Sequence, residues 1–458
     1  MSEHFLDGRV LLHCGDCREV MATLAENSFD ALVTDPPYHL TSIVKRMGGE
    51  NAAPVGYGSD GRYRRVSAGF MGRKWDGGDI AFDPATWRAV LRVLKPGAHA
   101  VVFTIPKHIG FVQIAMQEAG FEFRDVIVWA FGSGFPKSHD VSKGIDRAAG
   151  AEREVVGPPP YRRGKALQSY SETRKVRWDY QPHPIDIPAT DAAREWEGWG
   201  TALKPAVELI ILARKPLSEG TVAANVLRWG TGAINVDGCR VQLAENEDVE
   251  KLKFRSGGTR GFGGGLYQGG TFDSSVWNNV KGRWPANLVH DGSEEMVAAF
   301  PDADGGRPIT NPQAKSTDNV YRDFPQRSLN GGGRNDSGSA ARFFYSAKAD
   351  ADDRLGSRHP TVKPLDLIQW LVRLVTPRGG LLLDPFAGTG TTGEAAFREA
   401  CRAELIELEA EYQVDIRRRM ELVLAGRDER TRESIKAKNL PRDDGPLFDW
   451  KGTGEWAR

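Results

Sequence analysis

Ten consecutive residues, Asp384-Pro385-Phe386-Ala387-Gly388-Thr389-Gly390-Thr391-Thr392-Gly393, have the types needed to hold a cofactor. They follow the apolar run Leu381-Leu382-Leu383 and lead into a stretch of helical character, Thr391 to Glu399. Glycines let backbone approach a ligand closely, and a helix start offers unpaired N–H groups. Gly388, Gly390 and Gly393 also fit G-x-G-x-x-G, with Glu407 about 20 residues further on, which is the spacing of nicotinamide-binding folds. Asp384 separates the readings: a carboxylate repels a pyrophosphate but suits a cofactor that carries an ammonium group, such as S-adenosylmethionine. Glu407 can accept from ribose hydroxyls under either reading. The remaining alternative is a glycine-rich turn that only packs a helix on a strand.

The second constellation is Asp35-Pro36-Pro37-Tyr38, directly after the apolar run Phe29 to Val33. Open α/β sheets bind ligands at strand carboxyl ends, near a topological switch point. An exocyclic amine is a poor nucleophile because its lone pair is conjugated into the ring. The Asp35 carboxylate and the Pro36 carbonyl, accepting its two hydrogens, would favour a pyramidal nitrogen and free that lone pair for attack on a sulfonium methyl. Pro37 stiffens the loop, and Tyr38 offers a face on which a base could stack. A base must leave the duplex to enter such a pocket. Taken alone, the four residues could be a simple turn.

The rest of the chain must position these two motifs. Val10 to His13, Phe29 to Val33, Ala98 to Phe103, Arg124 to Ala130, Val207 to Ala213, Leu381 to Asp384 and Ala403 to Glu407 read as strands. Arg18 to Leu24, Pro84 to Leu94, Ile109 to Ala119, Pro364 to Val375, Thr391 to Glu399 and Glu411 to Leu424 read as helices, with Gly120 as a C-cap. Lys95-Pro96-Gly97 reads as a turn. Residues 39–78 and 131–204 are long polar excursions, and 216–341 is Gly-, Asn- and Ser-rich with little helical periodicity and reads as mostly irregular with short elements. The tail after Gly426 is charged and reads as peripheral.

Composition narrows the classes. With 61 basic and 61 acidic residues the net charge is zero, so any surface for a polyanion must be local. No apolar run approaches the ~18 residues of a membrane span, and the start Met-Ser-Glu-His-Phe has no signal-peptide pattern. This reads as a cytoplasmic protein. Cys14 and Cys17 form a C-x-x-C without a second ligand pair, so two small residues at a strand end are favoured over zinc or redox chemistry. None of the four cysteines follows a proline, which disfavours covalent C5-cytosine chemistry.

With both motifs in view, the sequence resembles the β class of DNA amino-methyltransferases, in which D-P-P-Y precedes the target-recognition region and the cofactor motif comes last. The resemblance covers roughly residues 8–130, 204–215 and 342–424. It implies S-adenosylmethionine as cofactor, no metal, and a doubly wound, Rossmann-like α/β sheet. That sheet would be mostly parallel with one antiparallel strand, and would carry an inserted irregular target-recognition region. The strands ending at Thr34 and Asp384 should be neighbours. The expected organisation is 1–130 as the first half of the catalytic domain and 131–206 as a basic, aromatic insertion. Residues 207–215 would form a core strand, 216–341 the recognition region, 342–424 the second half of the catalytic domain, and 425–458 a charged tail.

Residue by residue, the resemblance assigns catalysis to Asp35, Pro36, Pro37 and Tyr38. It places Asp16 near the cofactor adenine, and Thr361, Lys363 and Pro364 near the methionine moiety. Phe386 would line the pocket within Asp384, Pro385, Ala387, Gly388, Thr389 and Gly390, and Glu407 would bind the ribose. Lys363 could pair with the cofactor carboxylate while Asp384 faces its ammonium. Arg62, Arg64, Arg65, Arg73 and Lys74 in the basic loop next to the catalytic motif, and Arg162, Arg163, Lys165, Arg255 and Arg260 in two further basic clusters of the inserted regions, are candidates for phosphate contacts. The expected reaction is methylation of adenine N6 in double-stranded DNA at a specific site. N4-cytosine methylation uses the same chemistry, although serine in place of Asp35 would favour it. A DNA-binding module with a dead methylase core is the alternative of another class. The resemblance also leaves room for a homodimer and a cognate restriction endonuclease, and gives no role to a membrane.

Overall fold

In the computed structural model the described residues are 2–38, 79–132, 134, 138–157, 185–242, 282–302, 339–347, 351–357, 359 and 361–439. The strands are β1 (Ser2–Phe5), β2 (Val10–Cys14), β3 (Phe29–Thr34), β4 (Leu94–Thr104), β5 (Glu122–Ala130), β6 (Glu154–Gly157), β7 (Ile185–Ile187), β8 (Val207–Arg214), β9 (Leu288–His290), β10 (Tyr345–Ser346), β11 (Leu381–Asp384) and β12 (Arg402–Glu407). Ten of them form one sheet in the order β1-β2-β12-β11-β3-β4-β8-β5-β9-β10.

The central strands β2, β12, β11, β3 and β4 are all parallel. Strand β8 runs antiparallel between β4 and β5, as expected of one strand. A second antiparallel strand, β1, pairs with β2 at the edge. It is short and alternates exposed with half-buried residues, so it has no apolar run to announce it. Strands β3 and β11 are neighbours, with Leu382 opposite Ala31 and Leu383 opposite Leu32. From this pair the chain winds one way through β4 and the other way through β12, so a topological switch point lies between them.

Side chains alternate across the sheet and divide the core into two clusters. Val33, Val101, Phe103, Ile210, Leu212, Leu382 and Leu405 face the helices Leu365–Val375, Thr391–Arg398 and Ala410–Glu421. Leu32, Ala100, Val102, Ile211, Leu383 and Ile406 face the helices Pro84–Val93 and Ile109–Ala119. Helices on both faces explain why the strands are apolar along their whole length.

Two local expectations, at Lys95-Pro96-Gly97 and in the tail, need correction, and one of the short elements expected within 216–341 is now defined. Lys95-Pro96-Gly97 is no turn but part of β4. The register steps from Phe29 opposite Leu94 to Ala31 opposite His99, so the extra residues are taken up as a bulge. Gly97 sits there at φ +82°, and the Pro96 carbonyl accepts from Asn225 and Thr231. Within 216–341 a helix forms at Val222–Trp229, N-capped by Thr221 and ended by left-handed Gly230. Beyond Gly426, the helix Arg427–Asn439 is anchored: Arg430 pairs with the fully buried Glu394 at 2.9 Å, and Ser434 and Ala437 are buried.

The chain forms two compact units, Met1–Gly132 with Val207–Arg458, and Ser133–Ala206. Within the second, the buried Asp146 carboxylate accepts from the Ala189 and Thr190 amides and the Thr190 hydroxyl, and pairs with Arg153 at 2.8 Å. This one residue ties the helix Val141–Ala148 to the chain after β7. Among the described residues no helix is long and apolar enough to cross a membrane.

Candidate active site

A cavity of about 180 Å³ opens at the carboxyl ends of β2, β3, β11 and β12, where the two sequence motifs meet. On one side the chain leaves β11 through a turn in which Gly388 and Gly390 have φ of +52° and +76°. A Cβ on Gly390 would also stand 3.1 Å from Ile416, so this position needs glycine for conformation and for space. Gly390 then starts the helix Thr391–Arg398, which has no side-chain cap at its first turn.

Carboxylates surround this turn. Glu407, at the end of β12, accepts from the Gly388 amide at 2.7 Å through one oxygen and from the Glu409 amide at 2.8 Å through the other. Burial pushes its pKa up to about 7. Asp384 is buried and accepts from the Thr34 hydroxyl at 2.6 Å and the Phe386 amide at 3.1 Å, which ties β11 to β3 at the switch point. Burial raises it to about 6 despite these bonds. Asp16 caps the helix Cys17–Thr23 through the Arg18 amide and pairs with the Arg18 guanidinium, whose hydrogen bond holds the carboxyl below its ordinary value. Three acids around one cavity favour a ligand rich in hydrogen-bond donors or carrying positive charge.

The other side is the end of β3. His108, buried just before the helix Ile109–Ala119, places a ring nitrogen 2.6 Å from the Tyr38 carbonyl and pins the loop. Asp35 Oδ2 accepts from Lys363 Nζ at 2.6 Å. The same ammonium reaches the Tyr38 hydroxyl at 3.0 Å and Glu208 Oε2 at 3.3 Å, and lies between the rings of Tyr38 and Phe103. Burial opposes its charge, but Asp35 and Glu208 outweigh burial and hold Lys363 above the ordinary lysine range. Asp35 Oδ1 is buried and has no hydrogen-bond partner among the described residues. A buried acceptor without a donor is costly, and such atoms are where substrates bind.

Asp16, Asp35, Pro36, Pro37, Tyr38, Thr361, Lys363, Asp384, Pro385, Phe386, Ala387, Gly388, Thr389 and Glu407 all line this one cavity. Gly390 stands behind it and shapes the turn. Lys363 lines the cavity too, yet its charge is spent on Asp35, Tyr38 and Glu208. The candidate phosphate contacts Arg62, Arg64, Arg65, Arg73, Lys74, Arg162, Arg163, Lys165, Arg255 and Arg260 lie outside the described residues. Sequence reasoning missed Glu208, which stands inside the run Val207 to Ala213 that reads as a strand; a lone acid in such a run was the available signal. It also missed His108 and the edge-to-face pair of His359 with Tyr412, whose centroids are 4.5 Å apart on the cavity wall. Burial holds His359 at about 4, so it is neutral. The thiols are poor nucleophiles: burial pushes Cys17 up to about 12 and also raises Cys14.

The sequence pattern of the DNA methylase family, N6/N4 type, matches residues 29–418. The chain belongs to this family. S-Adenosylmethionine is the cofactor the family uses. A type II methyltransferase of Streptococcus pneumoniae, M2.DpnII, is 39% identical over 69 residues, 15% of this chain. That match spans only 26% of the relative's own length. Among solved structures, the cytosine-N4-specific PvuII DNA methyltransferase is 15% identical, with 94% of this chain and 93% of that one covered at a TM-score of 0.39. The M1.HpyAVI–SAM complex is 13% identical, with 90% and 99% covered at 0.32. The fold assignment rests on the sheet itself.

Proposed function

We propose that this family member is a DNA methyltransferase that transfers a methyl group from S-adenosylmethionine to the N6 amino group of adenine. The observation that carries the reading is Asp35 Oδ1, a buried acceptor without a donor, held beside the glycine turn and its acids. S-Adenosylmethionine, when bound, supplies an electrophilic methyl on its sulfonium. The residues present fit this group: Glu407 would accept from the ribose hydroxyls, Asp16 would stand on the adenine side, and Phe386 would line the pocket. Asp384 would face the ammonium. The surroundings of Lys363 favour a place at Asp35 over a pairing with the donor's carboxylate.

On the substrate side, Asp35 Oδ1 would accept a hydrogen of the exocyclic amine. That draws the nitrogen lone pair out of conjugation and stabilises positive charge as it develops there. Once the nitrogen carries the methyl group, the same oxygen is placed to take up the proton it sheds. Tyr38 would present its ring to a base rotated out of the duplex, with the loop fixed through His108. An aspartate at position 35, rather than a serine, favours adenine. The basic residues named above would hold the phosphates.

The test is product identity. Purified protein is incubated with unmethylated genomic DNA and S-adenosylmethionine, and the digested nucleosides are analysed by mass spectrometry. N6-methyladenine is expected. N4-methylcytosine would replace the base while keeping the chemistry, and no methylated nucleoside at all would overturn the reading.

A further inference from the structure

Glu208 lies where β8 begins, opposite Trp129 of β5, and no part of the two motifs includes it. Its Oε2 is buried, 3.3 Å from Lys363 Nζ, and has no hydrogen-bond partner among the described residues. Lys363 is only 7% exposed and meets Asp35 at 2.6 Å. Taken as an isolated pair, Lys363 and Asp35 would be neutral. A neutral pair is a poor stabiliser of positive charge, because the ammonium cancels the field of the carboxylate at short range. The second carboxylate changes this balance: two acids around one ammonium leave one negative charge, with Glu208 Oε2 held 3.3 Å from the ammonium as an ion pair without a hydrogen bond, and Asp35 Oδ1 buried without a donor among the described residues.

We propose that Glu208 is a positioning residue that takes up the charge of Lys363 and so keeps Asp35 electrostatically effective toward the amine. Lys363 sets the orientation of Asp35: it binds Oδ2 and the Tyr38 hydroxyl and leaves Oδ1 buried without a donor among the described residues. Glu208 Oε2 faces the same ammonium as an ion pair at 3.3 Å. The antiparallel strand β8 thereby contributes to catalysis as well as to the core, through a residue that does not touch the substrate. The inference rests on the methyltransferase reading above, and its test is built to fail separately from it.

The experiment compares wild type, E208Q, E208D and D35A, all as the full chain, on unmethylated genomic DNA with S-adenosylmethionine. E208Q keeps the size of the side chain and removes its charge. The expected result is a kcat about ten- to a hundredfold below wild type, with KM for both substrates and the melting temperature unchanged. E208D, which restores the charge on a shorter stem, should recover part of that loss. A wild-type kcat in E208Q overturns the proposal, as does an E208D as slow as E208Q. A loss in E208Q accompanied by a raised KM or a lowered melting temperature assigns Glu208 to structure and overturns it equally. If instead wild type forms no methylated nucleoside, the methyltransferase reading itself fails; if D35A turns over normally, the role given to Asp35 fails, and the proposal for Glu208 with it.

Discussion

The two strand ends that meet at the switch point are built differently. At the end of β11 and β12 the polar groups are nearly all matched within the protein: Asp384 by Thr34 and Phe386, Glu407 by Gly388 and Glu409. At the end of β3, Asp35 is anchored by one oxygen and left unmatched at the other. A saturated site is rigid and keeps its shape before a ligand arrives, which suits binding. An unmatched buried acceptor is costly at rest and gains most when a donor meets it, which suits catalysis. On the proposed reading, binding and chemistry are divided between the two halves of one cavity.

The largest expected effect breaks the catalytic half alone. Asp35→Ala should lower kcat by about a thousandfold or more, with the dissociation constant for S-adenosylmethionine within about twofold of wild type. Calorimetry and radiolabel transfer measure the two quantities; comparable losses in both would erase the proposed division. Gly390→Val strikes the other half. Its left-handed backbone and the Ile416 contact should cost about 1–2 kcal/mol of stability and abolish cofactor binding, so that turnover falls only because binding does. Cofactor binding at wild-type strength would contradict the role given to the turn.

The buried acids give a pH signature. Glu407 is raised from 4.5 to about 7, so the folded chain holds its proton more tightly than the unfolded chain does. Its contribution to stability is therefore complete below pH 4.5 and is lost as pH rises through about 7, by up to about 3 kcal/mol. Asp384, raised to about 6, adds a loss over a lower window. Melting temperatures of the cofactor-free protein should fall from pH 5 to pH 8, and fall less in Glu407→Gln; equal slopes would contradict the assignment. Asp16→Ala is the mildest case. It removes a helix cap worth about 1 kcal/mol and the carboxylate proposed for the adenine side of the cofactor, so a chemical denaturation curve should show that loss, with a raised KM for S-adenosylmethionine and an unchanged kcat.

How much of this was legible in sequence follows from the kind of signal each feature leaves. Strands β3 and β11 are apolar runs ended by Pro36 and Pro385, and the glycine turn can only be made by its own residue types. Their adjacency came from family resemblance, and the Thr34–Asp384 bond realises it. Glu208 was not legible as a partner because β8 approaches Lys363 from 155 positions earlier in the chain, and local pattern carries no such pairing. The bulge at Lys95 to Gly97 was misread because Pro and Gly signal a turn and a strand irregularity alike. The helix Val222–Trp229 could have been found from Thr221 and Gly230, whose caps stand at the right spacing. The tail helix could not, because it is held by Arg430 on the buried Glu394 rather than by an apolar face.

The most direct test of the division between binding and chemistry is a crystal structure of the full chain with S-adenosylmethionine bound. The expected result is a donor held against Glu407 and the glycine turn, with Asp35 Oδ1 still free to receive the amine. A donor whose ammonium occupies Asp35 Oδ1, or one bound away from this cavity, would contradict it.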